Sequence, residues 1–129
     1  MYLPENYCHE SVNLKTMHEL SLAMEVVDLA LNELKSKQLK SVLELEVEVG
    51  DLSGVEFETF QTAIEMAVKG TLMENTTVIL TRVHGLGRCS NCEKEFQMEH
   101  RVSLCPYCKG FPGEILSGTE FRIVSLLVE

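Results

Sequence analysis

Residues 41–54 read Ser41-Val42-Leu43-Glu44-Leu45-Glu46-Val47-Glu48-Val49-Gly50-Asp51-Leu52-Ser53-Gly54. Apolar and acidic residues alternate from Ser41 to Val49. Leu43, Leu45, Val47 and Val49 point one way and Glu44, Glu46 and Glu48 the other, which predicts a strand with one buried face and one wet, acidic face. Gly50 to Gly54 predicts a turn. Ser53 stands three residues before Glu56, a capping-box spacing that places a helix start at Ser53. Val55, Phe57, Phe60, Ile64, Ala67 and Val68 supply its apolar anchors to about Lys69, and Gly70 ends it.

Upstream, Leu20, Ala23, Met24, Val27, Ala30, Leu31 and Leu34 recur at three- and four-residue steps. They predict an amphipathic helix. Thr16 and Glu19 repeat the capping-box spacing, with Thr16 as the cap. Lys35, Lys37 and Lys40 crowd the end, where positive charge suits the helix dipole. Met1 to Lys15 has no periodicity and is expected to be a loose leader. Downstream, Thr76 to Val83 is rich in Thr, Val and Ile and predicts a second strand. Phe121 to Val128 predicts a third, apolar on both faces and therefore covered.

The fold class expected is α+β: two helices packed on a small mixed three-stranded sheet. Between the second and third strands lies a segment rich in Cys, Gly and Pro and poor in aliphatics, which cannot bury enough apolar surface to fold unaided. The expected organisation is a leader over 1–16, an α/β domain over 17–83 plus 113–129, and an inserted zinc-ribbon module over 84–112.

The whole chain has 129 residues, 45% of them hydrophobic, enough for a real core. No apolar run reaches the roughly 20 residues that span a bilayer. No basic flank precedes an apolar stretch at the start, so no secretory signal is expected and the chain is placed in the cytoplasm. The formal charge is -9. That argues against a general nucleic-acid binder and suits cationic partners, metal ions among them.

Four of the five cysteines form two pairs, Cys89-Ser90-Asn91-Cys92 and Cys105-Pro106-Tyr107-Cys108. Two intervening residues let one short turn aim both thiolates at one ion, and zinc prefers four soft ligands in a tetrahedron. The gap between the pairs is a little shorter than the roughly 15–20 residues usual in such sites. It suffices for a two-stranded ribbon, and Gly110 is expected to supply the positive φ that closes the second turn. Cys89, Cys92, Cys105 and Cys108 are therefore candidate ligands of a structural Zn(II), with no position left open for catalysis. A redox dithiol normally needs one such pair beside a βαβ unit, and disulfides are disfavoured by compartment. His84 and His100 flank the cluster as ordinary surface histidines, or as groups that tune or replace a ligand.

Met17-His18-Glu19-Leu20-Ser21 at a helix start, Gly50-Asp51-Leu52-Ser53-Gly54-Val55, and the two Cys-x-x-Cys pairs occur together in this order. In this the chain resembles the HypA/HybF family of nickel metallochaperones for [NiFe]-hydrogenase maturation, over Met17 to Glu129. The resemblance implies a non-enzymatic carrier of Ni(II). It implies a HypB-type GTPase and the hydrogenase large subunit as partners, with urease served by some relatives. Nucleotide hydrolysis lies elsewhere, since no Walker-type phosphate loop is present. The implied nickel ligands are the His18 imidazole with backbone nitrogens of Met17 and Glu19, Glu19 also orienting through its carboxylate.

Family members typically begin at the methionine of Met-His-Glu, whereas sixteen residues precede Met17 here. Its nitrogen is an amide, not an amine, unless the leader is a mis-set start or is removed. A leader that stays brings Cys8-His9-Glu10, whose thiolate and imidazole suit nickel as well. The competing reading is a zinc-ribbon adaptor that mediates protein–protein contacts. The sequence admits monomer and dimer alike.

Overall fold

A computed structural model describes residues 14–129, with side chains from His18 onward. The order of elements is α1 (Leu14–Ser36), β1 (Val42–Gly50), α2 (Phe57–Ala67), β2 (Thr77–Val83), β3 (Gly85–Cys89), β4 (Glu95–Met98), β5 (Pro112–Ser117) and β6 (Phe121–Val128). The strands form two three-stranded sheets, ordered β2-β1-β6 and β4-β3-β5. The chain divides into two compact units. One takes the described residues up to Val47 with Glu56–Leu80 and Ile123–Glu129; the other takes Glu48–Val55 and Thr81–Arg122.

In the sheet β2-β1-β6, Ser41 and Glu129 exchange backbone hydrogen bonds of 3.2 and 3.1 Å, so the start of β1 meets the end of β6 and the two run antiparallel. The Thr76 hydroxyl donates to the Val42 carbonyl at 2.7 Å, and Asp51 N donates to the Val83 carbonyl at 2.9 Å. Start meets start and end meets end, so β1 and β2 run parallel, joined through α2. The sheet is mixed, as the sequence predicts.

The first unit buries Ala23, Val26, Val27, Ala30 and Leu34 from α1, Phe60, Ala63, Ile64 and Val68 from α2, and Leu45 and Val47 from β1. Burying each large aliphatic or aromatic side chain contributes about 1.5–3 kcal/mol. Two positions break the expected periodicity. Met24 is 54% exposed while Val26 is buried, so the buried stripe of α1 is rotated from the one expected. On β1, Leu43 is 40% exposed and Val42 is buried, so the clean alternation starts only at Leu45.

Three further expectations need correction. First, α1 begins at Leu14, so Thr16 lies inside the helix and is not its cap. Second, Ser53 does not cap α2. Its hydroxyl donates to the Gly50 carbonyl at 2.7 Å and accepts from Val55 N at 3.1 Å, closing the turn on itself. The N-cap is Glu56, whose carboxylate accepts from Thr59 N at 3.0 Å. Third, β6 is not covered on both faces. It is an edge strand of three, and Val124 and Leu127 are 43% and 51% exposed.

The second unit is larger than the 84–112 module. β5 pairs with β3 on the side opposite β4. Gly50 N donates to the Glu120 carbonyl at 2.6 Å and Leu52 N to the Gly118 carbonyl at 2.7 Å. Gly118 has φ +108°, and a Cβ there would stand 2.6 Å from Gly85 Cα. Only glycine meets both demands. Leu52, Phe96, Met98 and Ile115 pack around the cysteines as this unit's own small core. Among the described residues no helix is long and apolar enough to cross a membrane.

Candidate functional site

The four paired cysteines converge. Their sulfurs all lie within 4.8 Å of one another. Cys89 and Cys108 Sγ are 3.4 Å apart, and Cys92 and Cys105 Sγ 3.7 Å apart. A tetrahedral ion at about 2.3 Å from each sulfur places the sulfurs about 3.8 Å apart. The donor set and its spacing therefore fit a tetrahedral thiophilic metal, and the separations are far beyond a disulfide bond.

The local sequence explains this placement. Cys89 ends β3, and Cys92 lies in the turn before β4, so the hairpin is built around the first pair rather than between the pairs. Asn91 N and Cys92 N donate to Cys89 Sγ at 3.3 and 3.5 Å, and Tyr107 N to Cys105 Sγ at 3.4 Å. Backbone dipoles thus stabilise negative sulfur in both turns. The residue after each pair is left-handed: Glu93 with φ 63° and Lys109 with φ 66°. The positive φ expected at Gly110 falls on Lys109 instead. Gly110 serves by close approach, since a Cβ there would lie 3.1 Å from Cys89 Sγ and 3.2 Å from Cys108 Sγ.

Without metal the thiols are not equivalent. The Gly110 amide, the Asn91 side chain and the Cys89 thiol draw Cys108 down to about 6. At Cys92 the Lys94 amide pulls downward, but burial and the thiols of Cys105, Cys108 and Cys89 outweigh it and push the group up to about 11. Asn91 was missing from the candidate residues, and Gly110 was expected to shape the turn but not to donate to a sulfur. Their signal is position alone, inside or just after a pair.

Neither flanking histidine joins the cluster. His84 Nδ1 lies 3.1 Å from Asp51 Oδ2, and Asp51 Oδ1 also takes Arg82 Nε at 3.2 Å. The backbone N of His100 donates to the Ser103 hydroxyl.

The second group of candidates lies on α1. His18 is exposed and Glu19 is fully buried. Glu19 Oε2 accepts from Glu56 N at 2.8 Å. Glu19 therefore does the task a capping-box carboxylate does, but for α2 and from 37 residues away. A negative group suits the positive end of α2. Glu19 Oε1 is buried with no hydrogen-bond partner among the described residues. Spacing named Glu56 only as the capping-box partner of Ser53; its own role as cap was hidden because its link to Glu19 is long-range.

Met17, His18 and Glu19 follow one another within α1. In a helix that begins at Leu14, the amides of His18 and Glu19 point to carbonyls four residues earlier. Cys8 and His9 lie outside the described residues.

Comparisons with known proteins identify the family and the fold. A family profile described as hydrogenase/urease nickel incorporation, metallochaperone, HypA matches residues 17–128. A hydrogenase maturation factor HypA of Parabacteroides distasonis is 39% identical over 88% of this chain and 98% of its own length. One of Geotalea uraniireducens is 34% identical over 88% of this chain and its whole length. The solution structure of the Ni metallochaperone HypA from Helicobacter pylori shares the fold with TM-score 0.55 at 21% identity, covering 85% of this chain and 96% of that one. The solution structure of another HypA protein does so with TM-score 0.58 at 21% identity, over 88% and 97%. With a family match over nearly the whole described chain, the protein belongs to the HypA family of hydrogenase maturation factors and nickel metallochaperones.

Proposed function

We propose that this chain is a non-enzymatic nickel carrier of the cytoplasm. It binds Ni(II) at His18 and hands it on during maturation of a [NiFe]-hydrogenase. A HypB-type GTPase and the hydrogenase large subunit are its partners, and urease is a second destination. The observation that carries the reading is the exposed His18 beside a buried Glu19 that grips the start of α2, inside the stretch the family profile matches. An exposed imidazole can exchange its metal, whereas a closed site cannot do so readily.

The ion at Cys89, Cys92, Cys105 and Cys108 is Zn(II), with a structural role. Four thiolates at these separations suit a d¹⁰ ion with no preferred geometry of its own, and no coordination position remains for a substrate. A bound zinc would hold the two turns together, and the small core around it is too slight to do so alone.

The nickel ligands are the His18 side chain and the backbone nitrogens of Met17 and Glu19. In the chain with its leader these amides belong to α1, so they become donors only when the first turn opens. A terminal turn opens at small cost. Removal of residues 1–16 achieves the same end and adds an amine.

The experiment is a Ni(II) titration of zinc-loaded chains comprising residues 1–129 and 17–129, each with and without His18→Ala. The expected outcome is about one nickel per chain, tighter in the shorter form and lost with His18→Ala in both. Nickel binding that survives His18→Ala in both forms would falsify the assignment. Tighter binding by the longer form would point to Cys8 and His9.

A further inference from the structure

α1 begins at Leu14, about one turn before the proposed nickel site. In a helix each backbone N–H donates to the carbonyl four residues earlier. The amides of His18 and Glu19 are therefore committed to the carbonyls of Leu14 and Lys15. The Glu19 nitrogen is also one of the proposed nickel ligands. A backbone nitrogen that binds a metal ion has given its proton to solvent, and without that proton it cannot donate to a carbonyl. One atom cannot serve both.

The side chain of the same residue is fixed. Glu19 is fully buried, its Oε2 accepts from Glu56 N at 2.8 Å, and Glu56 caps α2. His18, one residue earlier, is exposed. Beyond Glu19, α1 is held by the buried Ala23, Val26, Val27, Ala30 and Leu34. Among the described side chains, the anchored part of the helix thus starts at Glu19. Unwinding Leu14–His18 costs only the hydrogen bonds of a terminal turn. Unwinding that pulled the Glu19 carboxylate away would also strand the Glu56 amide at the start of α2. A helix opens first at its end, and opening halts where packing begins.

We propose that the first turn of α1 is a switch on nickel: helix over Leu14–His18 and nickel at Met17–Glu19 exclude each other, with the Glu19–Glu56 bond marking where the unwinding stops. Glu19 keeps its carboxylate on α2 while its nitrogen leaves the Lys15 carbonyl for the ion and its proton passes to water. On release the nitrogen takes a proton back from water and the turn re-forms. The chain's hold on nickel is its affinity in the open form, reduced by the fraction that is open. Whatever steadies the turn weakens nickel binding, and whatever loosens the turn strengthens it. This switch rests on the nickel reading above and adds the regulation of that site.

The test compares two zinc-loaded chains of residues 1–129 that differ only in helix propensity ahead of the site. One carries Lys15→Ala and Thr16→Ala, the other Lys15→Gly and Thr16→Gly. Neither position is a proposed ligand, and both pairs remove the same charge. Gly in place of Ala shifts a helix equilibrium about fivefold per position. Nickel affinity is measured by calorimetry, helix content by far-ultraviolet circular dichroism with and without nickel, and hydrogen exchange at the Glu56 amide by mass spectrometry. The glycine pair should bind nickel more tightly than the alanine pair by about fivefold or more. Saturation with nickel should remove about one turn of helix signal from the alanine pair and leave exchange at Glu56 unchanged.

A gap below about fivefold, or the reverse order, would overturn the switch. So would helix content that nickel leaves unaltered in the alanine pair, or a Glu56 amide that exchanges as fast in the nickel-bound chain as in Glu19→Ala. Failure of the nickel reading looks different: the chain of residues 17–129 then binds no nickel, or keeps its nickel after His18→Ala. Binding that depends on His18 and is the same in both pairs defeats the switch alone.

Discussion

In the second unit four thiols close on one point within 4.8 Å, and every one comes from a tight turn with its own backbone donors. In the first unit one imidazole stands exposed on a helix, and the carboxylate of the next residue, Glu19, is bound to the start of another helix. The first arrangement is local, saturated and suited to keeping an ion. The second is long-range, open and suited to passing one on. The contrast sets a site built to hold an ion beside one built to release it, which is the division of labour that the proposed function requires.

The largest effect expected comes from breaking the closed site. Cys105 is fully buried and pairs with Cys92 at 3.7 Å. Cys105→Ser should take bound zinc from about one per chain to near zero and unfold β3, β4 and β5. Structural zinc sites contribute roughly 10–16 kcal/mol of apparent binding energy to folding. Metal analysis and the amide NMR spectrum check both. Retained chemical-shift dispersion for residues 85–117 in the zinc-free variant would show that the small apolar core suffices without metal.

Next comes the backbone that the ribbon demands. Gly118→Ala places a Cβ against Gly85 Cα in a conformation with φ +108°. The cost should be about 3 kcal/mol, as strain and overlap add. Denaturant unfolding of the zinc-loaded protein measures it, and a change below about 0.5 kcal/mol would mean the turn relaxes freely.

The same contrast governs what the sequence made legible. The convergence of the four cysteines was plain, because Cys-x-x-Cys spacing encodes a turn that aims both sulfurs one way. The alternation of Leu45 to Val49 and the run of Thr77–Val83 also gave their strands. What sequence could not give was anything set by distant partners. Spacing offered Thr16 and Ser53 as caps, yet α1 extends past Thr16, and α2 takes Glu56 as its cap with Glu19 bound to the Glu56 amide. The apolar content of β6 suggested a covered strand, but cover depends on which strand occupies the sheet edge. β5 escaped notice because Pro112 and Gly113 open it and only Ile115 and Leu116 are apolar, so it has no readable alternation.

Glu19→Ala probes the open site's one fixed point. It would leave Glu56 N at the start of α2 without its acceptor. A hydrogen bond to a charged group is worth about 1.5–3 kcal/mol, and relief of the unpartnered Oε1 offsets part of that. The net loss should be about 1–2 kcal/mol in the free energy of unfolding of the first unit, read from a lower denaturant midpoint, with zinc content unchanged. Unaltered stability would mean that the Glu19 link contributes nothing net to the fold.

The smallest effect sharpens the contrast from inside the closed site, through the order in which its thiols ionise once metal is removed. Cys108 is drawn down to about 6 chiefly by the Gly110 amide, and Cys92 is pushed up to about 11. A lowered folded value contributes stability that is complete above the ordinary thiol value near 9 and is lost as pH falls through about 6. A raised value contributes stability that is complete below 9 and is lost as pH rises through about 11. The two contributions overlap most near pH 9, so the small folded population that the second unit keeps after chelation should be largest there, read as the slowest amide exchange relative to the intrinsic rate. At pH 7 in the chelated protein, iodoacetamide should modify Cys108 ahead of Cys92, because the thiolate is the nucleophile. Peptide mass spectrometry reads the order directly. Equal rates at Cys108 and Cys92 would show that the turn amides do not bias the sulfurs before metal arrives, and that the ion itself organises the site.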